Sequence, residues 1–423
     1  MHMQVVSGEG VRPALRRVLA GEGCVAVIPE KGAEPYLRML RPEVPVEHDE
    51  CALIVATSGA TGDPKGVMLS VDAVRFMVEA THRRLGGPGR WDCALPVHHI
   101  AGLMTIARDL VAVEAAGSAE MPKYTSMVPA QLHQAFQNPA ESAKLRQFQA
   151  ILLGGSAIPA GMLEAAAAAG LNVVTTYGMS ETCGGCVYNR LPLDGVTIGF
   201  EKDVAVSTAS PEGESRGTHW PSSAILPAAT SSPQPRTPPP SSSTNVGDPV
   251  SDVPEALGAN QGRASVASTI TLSGPMAFLG YRLAPELTAA VLTGQTVRTR
   301  DLGYVADGLL YVTGRMDDVV ISGGENVDLH AAQQAADRLF GIDAATRVVL
   351  VDVPDPRFGV RIVAVTANVL PDAQIVNPLA EVLERPAVPK QIHRLDALPL
   401  TALGKLSRDK IRELIDAGAS PRK

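Results

Sequence analysis

The decapeptide Thr57-Ser58-Gly59-Ala60-Thr61-Gly62-Asp63-Pro64-Lys65-Gly66 follows directly on the apolar run CALIVA. Glycines and small hydroxyl residues just after a buried strand suit a polyphosphate. Glycine lets the backbone come close, amide N–H groups and Ser/Thr hydroxyls donate to phosphate oxygens, and Lys65 adds a point charge. The order differs from the ordinary nucleotide loop, because GxxxxGK[ST] is absent. Read alone, the segment would also serve as a flexible surface turn. A second stretch, Thr175-Thr176-Tyr177-Gly178-Met179-Ser180-Glu181-Thr182, closes the strand-like run LNVV. Tyr177 can stack on an adenine ring and Ser180 can donate to a phosphate. Glu181 can give one oxygen to Mg²⁺, an ion that takes few carboxylates and keeps several waters. The same residues would equally start a helix, with Ser180 as cap and Glu181 in the first turn.

A third group is Thr299-Arg300-Asp301-Leu302-Gly303-Tyr304, followed by Gly314-Arg315-Met316-Asp317-Asp318. Asp301 is a carboxylate suited to vicinal hydroxyls, as acidic residues are on a ribose. Arg315 can donate to the same ribose or to phosphate. Two hairpin turns with a surface ion pair are the alternative. The fourth group is the tail Pro399-Leu400-Thr401-Ala402-Leu403-Gly404-Lys405-Leu406-Ser407-Arg408, where a lysine on a Gly-containing loop is by itself usually just solvated.

Together, and in this order, the four groups resemble the adenylate-forming superfamily of acyl- and aryl-CoA ligases, luciferases and peptide-synthetase adenylation domains. The likeness spans nearly the whole chain except residues 201–268. It implies an α/β fold: a large N-terminal domain of layered β-sheets and helices over 1–315, and a small mobile α+β C-terminal domain over 318–423. It also implies ATP, Mg²⁺ and coenzyme A, the last as substrate, and an acid–CoA ligase that forms acyl-AMP and releases diphosphate. By matching residues, Thr57, Ser58, Gly59, Thr61, Gly62 and Lys65 would lie near the β- and γ-phosphates. Gly154, Gly155 and Ser156 in ILLGGSAIP, with Tyr177 and Gly178, would frame the adenine. Ser180 and Glu181 would take phosphate and Mg²⁺, and Asp301 and Arg315 the ribose. Lys405 would bridge the substrate carboxylate and the α-phosphate, Asp317 would be the hinge, and 323–327 would line the site in the second half-reaction.

The segment Leu95-Pro96-Val97-His98-His99-Ile100-Ala101-Gly102-Leu103 matches the family's stretch before the acyl pocket, with His99 at its usual histidine position. A histidine pair packed at a strand end is the alternative, and no third ligand at zinc spacing follows. The phosphate loop begins early, at residue 57, so much of the usual N-terminal subdomain is expected to be missing. This compact pattern, with TTYGMSETCGG and PLDGVTIG, resembles the o-succinylbenzoate–CoA ligases of menaquinone biosynthesis. Another aryl- or acyl-CoA ligase, an acyl-AMP ligase, or a catalytically dead nucleotide-binding homologue stay open as alternatives. Cys183-Gly-Gly-Cys186 reads as pocket wall rather than a redox or zinc pair. Arg300 stands where the family usually has glycine.

The elements that must position these residues are legible as texture. Over 1–200, CVAVIPE, CALIVATSG, CALPV, AILLGGS and LNVVTTYG read as buried strands, alternating with helical ESAKLRQFQ and PAGMLEAAAAAG, which argues for layered α/β architecture. Residues 201–268, rich in Pro, Ser and Thr, cannot bury enough apolar surface to offset ordering entropy and read as a disordered insertion. If that insertion sits at a turn tip, the fold survives it, because loop-closure cost grows slowly with length. From 269 onward, STITLSGPM, GLLYVTG and DVVISG read as strands and ENVDLHAAQQAADRLF as one amphipathic helix. RVVLVDV and RIVAVTANV are strands again, and SRDKIRELIDAG closes as a helix.

The 423 residues exceed one ordinary core, and 45% hydrophobic with 19% charged is globular composition. A net charge of −7 gives no basic footprint for nucleic acid. Five scattered cysteines are not a disulfide framework. The start lacks a charged segment followed by an apolar run, and no stretch is long enough to span a bilayer, so a cytoplasmic protein is expected. The expected partners are a small carboxylic acid, ATP and CoA, with no nucleic acid or membrane, and a homodimer is compatible with the sequence.

Overall fold

Residues 24–27 and 51–56 are unbroken apolar runs because both faces of their strands are covered. Val25, Val27, Leu53 and Val55 point into one core, and Cys24, Ala26, Ile54 and Met68 into another. The computed structural model describes residues 2–58, 64–116, 120–159, 161–201, 268–322, 324–343, 345–400 and 406–417. These belong to one unit formed by 1–203 and 267–423. The architecture is α/β, in four sheets layered with helices.

The first sheet runs Met3–Val6, Cys24–Val27 and Cys51–Ser58 in parallel. Pro64–Ser70 then pairs antiparallel with Cys51–Ser58, and the two-residue strand Gly280–Tyr281 pairs with Pro64–Ser70. The second sheet sets Arg90–Cys93, Lys123–Met127, Ala150–Gly154 and Val173–Met179 in parallel, then adds Gly184–Tyr188 antiparallel. Helix Val71–Leu85 begins where Ser70 accepts from the Ala73 N–H at 3.1 Å, and Gly86 ends it at φ 92°, left-handed as glycine allows. With helix Ile100–Ala116 it fills the space between the two sheets. Met77, Leu103 and Leu110 share one core with Val55, Val67, Leu152 and Val187.

The third sheet is antiparallel: Thr197–Glu201, Ser268–Ser273, Thr296–Ala306 and Leu309–Arg315 are successive neighbours. Its first pair is in register to the end, with Glu201 opposite Thr269. The described chain stops after Glu201 and resumes at Ser268, at the same end of this paired hairpin. The disorder expected for 201–268 falls, apart from its two edge residues, outside the described residues. The fourth sheet is built from Val319–Ser322, Glu325–Asp328, Val348–Asp355, Gly359–Thr366 and Ile392–Arg394. Its two faces pack cores whose buried residues lie between Val327 and Ile411.

Two elements differ from expectation. The segment at 93–97 is not a strand: the strand is Arg90–Cys93, and Pro96 turns the chain so that His99 N donates to Pro96 O at 3.2 Å. ENVDLHAAQQAADRLF is not one helix either. Glu325–Asp328 is a strand paired with Val319–Ser322, and Asp328 then caps helix Leu329–Phe340 by accepting from His330 and Ala331 N–H. A capping aspartate inside the segment stops the helix from starting earlier. Among the described residues no helix is long and apolar enough to cross a membrane.

Candidate active site

Strand ends of three sheets converge on one site. Gly154 stands opposite Thr176 where strands Ala150–Gly154 and Val173–Met179 end. A side chain on Gly154 would come 2.2 Å from Thr176 Oγ1, so only glycine fits there. Gly155 and Ser156 form the turn that leaves this strand. At Gly178 a Cβ would lie 2.2 Å from the Gly184 carbonyl. That close approach creates the irregularity between Tyr177 and Gly178 and leaves Tyr177 aimed across the sheet edge.

The Tyr177 hydroxyl donates to Asp301 Oδ2 at 2.7 Å, and Arg315 Nη1 lies 3.4 Å from Asp301 Oδ1. Asp301 and Arg315 are direct partners in the hairpin of Thr296–Ala306 and Leu309–Arg315. Asp301 is only 6% exposed, and its N–H donates to Thr299 Oγ1. Burial and the Asp301 charge both push the Tyr177 ionisation up, so its hydroxyl stays a donor. The group offers one flat ring, one carboxylate and one cation.

Four residues on from Tyr177, Glu181 sits in the short 3₁₀ turn Ser180–Thr182. Neither Ser180 nor Glu181 starts an α-helix; Thr182 is buried instead, bonded to Met179 and Gly184. Glu181 Oε1 accepts from the Tyr281 hydroxyl at 2.7 Å. Lys65 stands opposite Thr57 in the hairpin register, and its Nζ lies 5.4 Å from the Tyr281 ring centroid. Among the described residues no three His, Cys, Asp or Glu side chains cluster as a metal cage. A single carboxylate beside a lysine instead fits an ion that arrives coordinated to phosphates.

His99 precedes helix Ile100–Ala116 and its carbonyl accepts from Leu103 N, so it marks a helix start rather than a strand end. Its ring is 4.3 Å from that of His98, which burial holds below its usual pKa. Gly59, Thr61, Gly62 and Lys405 lie outside the described residues, as do the side chains of Ser58 and Asp317. Cys183 and Cys186 are core residues rather than pocket wall: both are 0% exposed, and burial pushes each thiol up to about 12.

Three residues passed unnoticed in the sequence. Tyr281 belongs to a strand too short to show a period. Arg282 has a side chain with 0% exposure and donates to the carbonyls of Leu40, Arg41, Val44 and Pro45 and to the Glu47 carboxylate. Arg108 is 4% exposed on helix Ile100–Ala116, stacked 5.1 Å over Trp91. Its Nε is buried without a partner, and among the described residues it has no acidic neighbour in ion-pair range. The adjacent Asp109 takes Arg12 and Arg90 instead. A charged pair in the middle of a largely apolar helix was the available signal.

Residues 7–208 match the model of the AMP-binding enzyme family. A Mycobacterium tuberculosis protein named "Probable 2-succinylbenzoate--CoA ligase" is 33% identical over 426 residues, covering 94% of this chain and 92% of its own. The chain belongs to the AMP-binding enzyme family. The 2-succinylbenzoate–CoA ligase of Enterococcus faecalis is 27% identical over 86% of the chain and 70% of its own length. Among solved structures, the o-succinylbenzoate CoA synthetase of Bacillus subtilis in complex with its acyl-adenylate intermediate superposes with a TM-score of 0.64. That likeness covers 95% of this chain and 80% of the other at 20% identity, and so speaks to the AMP-binding enzyme fold alone.

Proposed function

We propose that the chain is a 2-succinylbenzoate–CoA ligase, which activates its acid with Mg-ATP as an acyl-adenylate and then transfers the acyl group to coenzyme A. The observation that supports this reading is a pair of contact groups, Tyr177 with Asp301 and Arg315, and Glu181 with Tyr281 and Lys65, linked through the four-residue step from Tyr177 to Glu181. A ring, a ribose-type carboxylate and a phosphate-type cation beside a lone acid match the parts of Mg-ATP in order. The named relatives direct the choice of acid.

In this reading Tyr177 stacks on adenine between Gly154–Ser156 and Gly178, while Asp301 and Arg315 hold the ribose. Thr57, Ser58, Gly59, Thr61, Gly62 and Lys65 hold the β- and γ-phosphates, with Ser180 beside them. Mg²⁺, when bound through Glu181, neutralises phosphate charge as it develops. The substrate carboxylate attacks the α-phosphorus and diphosphate leaves. Two anions must meet, and Lys405 offsets their repulsion. The CoA thiolate then attacks the acyl carbon and AMP departs. Residues 318–423 act as the small domain, turning about Asp317 so that 323–327 replace Lys405 in the second step. His99 lies against the acyl group. The enzyme works in the cytoplasm, where ATP and CoA are at hand.

2-Succinylbenzoate carries two carboxylates, and only one is activated. The other needs a cation; Arg108, on the helix that follows His99, is a buried guanidinium that has only the Tyr188 hydroxyl at 3.4 Å and the Trp91 ring for partners and no acidic partner among the described residues. The test is diphosphate release from Mg-ATP with 2-succinylbenzoate, benzoate, a fatty acid, or no acid. Release with 2-succinylbenzoate alone, followed by CoA-dependent AMP formation, is the expected result. Release with another acid keeps the ligase and changes the substrate. No release from folded protein that binds ATP would favour a catalytically dead homologue.

A further inference from the structure

Glu181 is held from far away in sequence. Its Oε1 accepts from the Tyr281 hydroxyl at 2.7 Å, 100 residues on, and its backbone oxygen accepts from Phe278 N at 3.0 Å. The same Tyr281 ring lies beneath Lys65 Nζ at 5.4 Å. One side chain thus touches both the acid and the cation that the functional reading assigns to Mg-ATP. Resting on that reading, we propose that Tyr281 is the positioning residue of the phosphate and magnesium corner. Its hydroxyl fixes one oxygen of Glu181 so that the other faces the ion, and its ring fixes Lys65 over the polyphosphate.

The surroundings make Tyr281 rigid enough for this. Strand Gly280–Tyr281 pairs with Pro64–Ser70, the strand that carries Lys65, with Tyr281 opposite Val67. Tyr281 N donates to Thr288 Oγ1 at 2.8 Å, and its ring meets Phe278 edge-on at 4.9 Å. The next residue, Arg282, donates its N–H to Gly66 O at 2.7 Å, while its buried guanidinium is fastened to residues 40–47.

The choice of a neutral donor matters. A lysine or arginine on Glu181 would compete with Mg²⁺ for the carboxylate charge, whereas a tyrosine hydroxyl orients it and leaves the charge in place. Among the described residues Glu181 has no ion-pair partner. A residue needed only for packing would gain nothing from a buried hydroxyl, which must find an acceptor or lose stability.

The experiment is calorimetric titration of ATP at several fixed Mg²⁺ concentrations, with no acid or CoA present, on wild type and Tyr281→Phe. AMP, which needs no ion, is titrated alongside, and both proteins are melted. In Tyr281→Phe the Mg²⁺ concentration giving half-maximal ATP affinity is expected to rise about tenfold, the lower end of what loss of an outer-shell partner costs. AMP affinity and the melting temperature stay at wild-type values. Tyr281→Leu, which also removes the ring under Lys65, weakens ATP binding further and leaves AMP binding unchanged. Wild-type Mg²⁺ dependence in Tyr281→Phe overturns the role, as does equal weakening of AMP and ATP. Wild-type protein that binds no ATP overturns the functional reading itself, and this role falls with it.

Discussion

Tyr177 and Asp301 are bonded to each other in the free protein, hydroxyl to carboxylate at 2.7 Å. The residue assigned to the adenine and the residue assigned to the ribose thus form one preorganised unit. It spans the edge of the second sheet and the hairpin of the third. A nucleotide needs to find only one orientation, because the carboxylate is aimed before it arrives.

Asp301→Asn removes the charge that holds Arg315 and accepts from Tyr177. The KM for ATP is expected to rise at least about tenfold, the loss of one charge-assisted hydrogen bond or more. Tyr177→Phe keeps the ring and should change that KM by less than about threefold, a fraction of one hydrogen bond. Diphosphate release at varied ATP measures both.

Lys405→Ala is expected to abolish diphosphate release while thioester formation from supplied acyl-adenylate persists. Measuring the two half-reactions separately decides this. Equal loss in both would remove Lys405 from the first step.

Arg108→Met removes the buried guanidinium and keeps a side chain that can lie on Trp91. The KM for 2-succinylbenzoate should rise about ten- to hundredfold, as when a charged hydrogen bond is lost, with the KM for ATP unchanged. A monocarboxylic aryl acid, if it is used at all, should not feel the substitution.

His82 is buried, accepts from Trp91 Nε1 at 3.3 Å, and is lowered from 6.5 to about 4 by burial and the Arg108 charge. Its folded pKa lies below its unfolded one, so the unfolded chain binds the extra proton first. The stability it contributes is complete above pH 6.5 and is lost as pH falls toward about 4. The depressed carboxylate of Asp109 titrates lower still. Thermal melts between pH 7 and 4.5 should show the decline in wild type, and His82→Phe should flatten it over that window.

Arg282→Ala removes the donor that four backbone carbonyls share, while Glu47 keeps only the Leu283 N–H. Leaving partly buried acceptors without their partner costs about 1–3 kcal/mol, and that is the loss expected in urea unfolding. Glu47→Gln, which keeps an acceptor, should cost less.

The chemistry-bearing residues were legible because their task restricts their types. A lysine after a glycine-rich turn, or a tyrosine three residues before a serine and four before a glutamate, has few other reasons to recur in one order. Strand cores were legible where both faces are covered, as at 24–27 and 51–56. What the sequence hid was contact between distant segments. Nothing near Gly280–Tyr281 announces a strand, because two residues show no period and the pairing partner lies over 200 positions away. The run at 325–340 looked like one helix because apolar spacing alone cannot tell a capped start from a continuous one; Asp328 decides it. At 93–97 the apolar letters suggested a strand, and Pro96 overrode them.

The far partnership of Arg282 has a bearing on how the chain matures during synthesis. The first sheet has its first four strands by residue 70, yet its last edge and the clasp on residues 40–47 come from 280–282, with Arg282 lying 242 positions after Leu40. Throughout translation of that interval, the outer edge of Pro64–Ser70 lacks its partner strand and the carbonyls of Leu40, Arg41, Val44 and Pro45 lack their guanidinium. A nascent chain halted anywhere before 282 thus carries an open strand edge, the kind of surface that chaperones shield and that aggregation exploits.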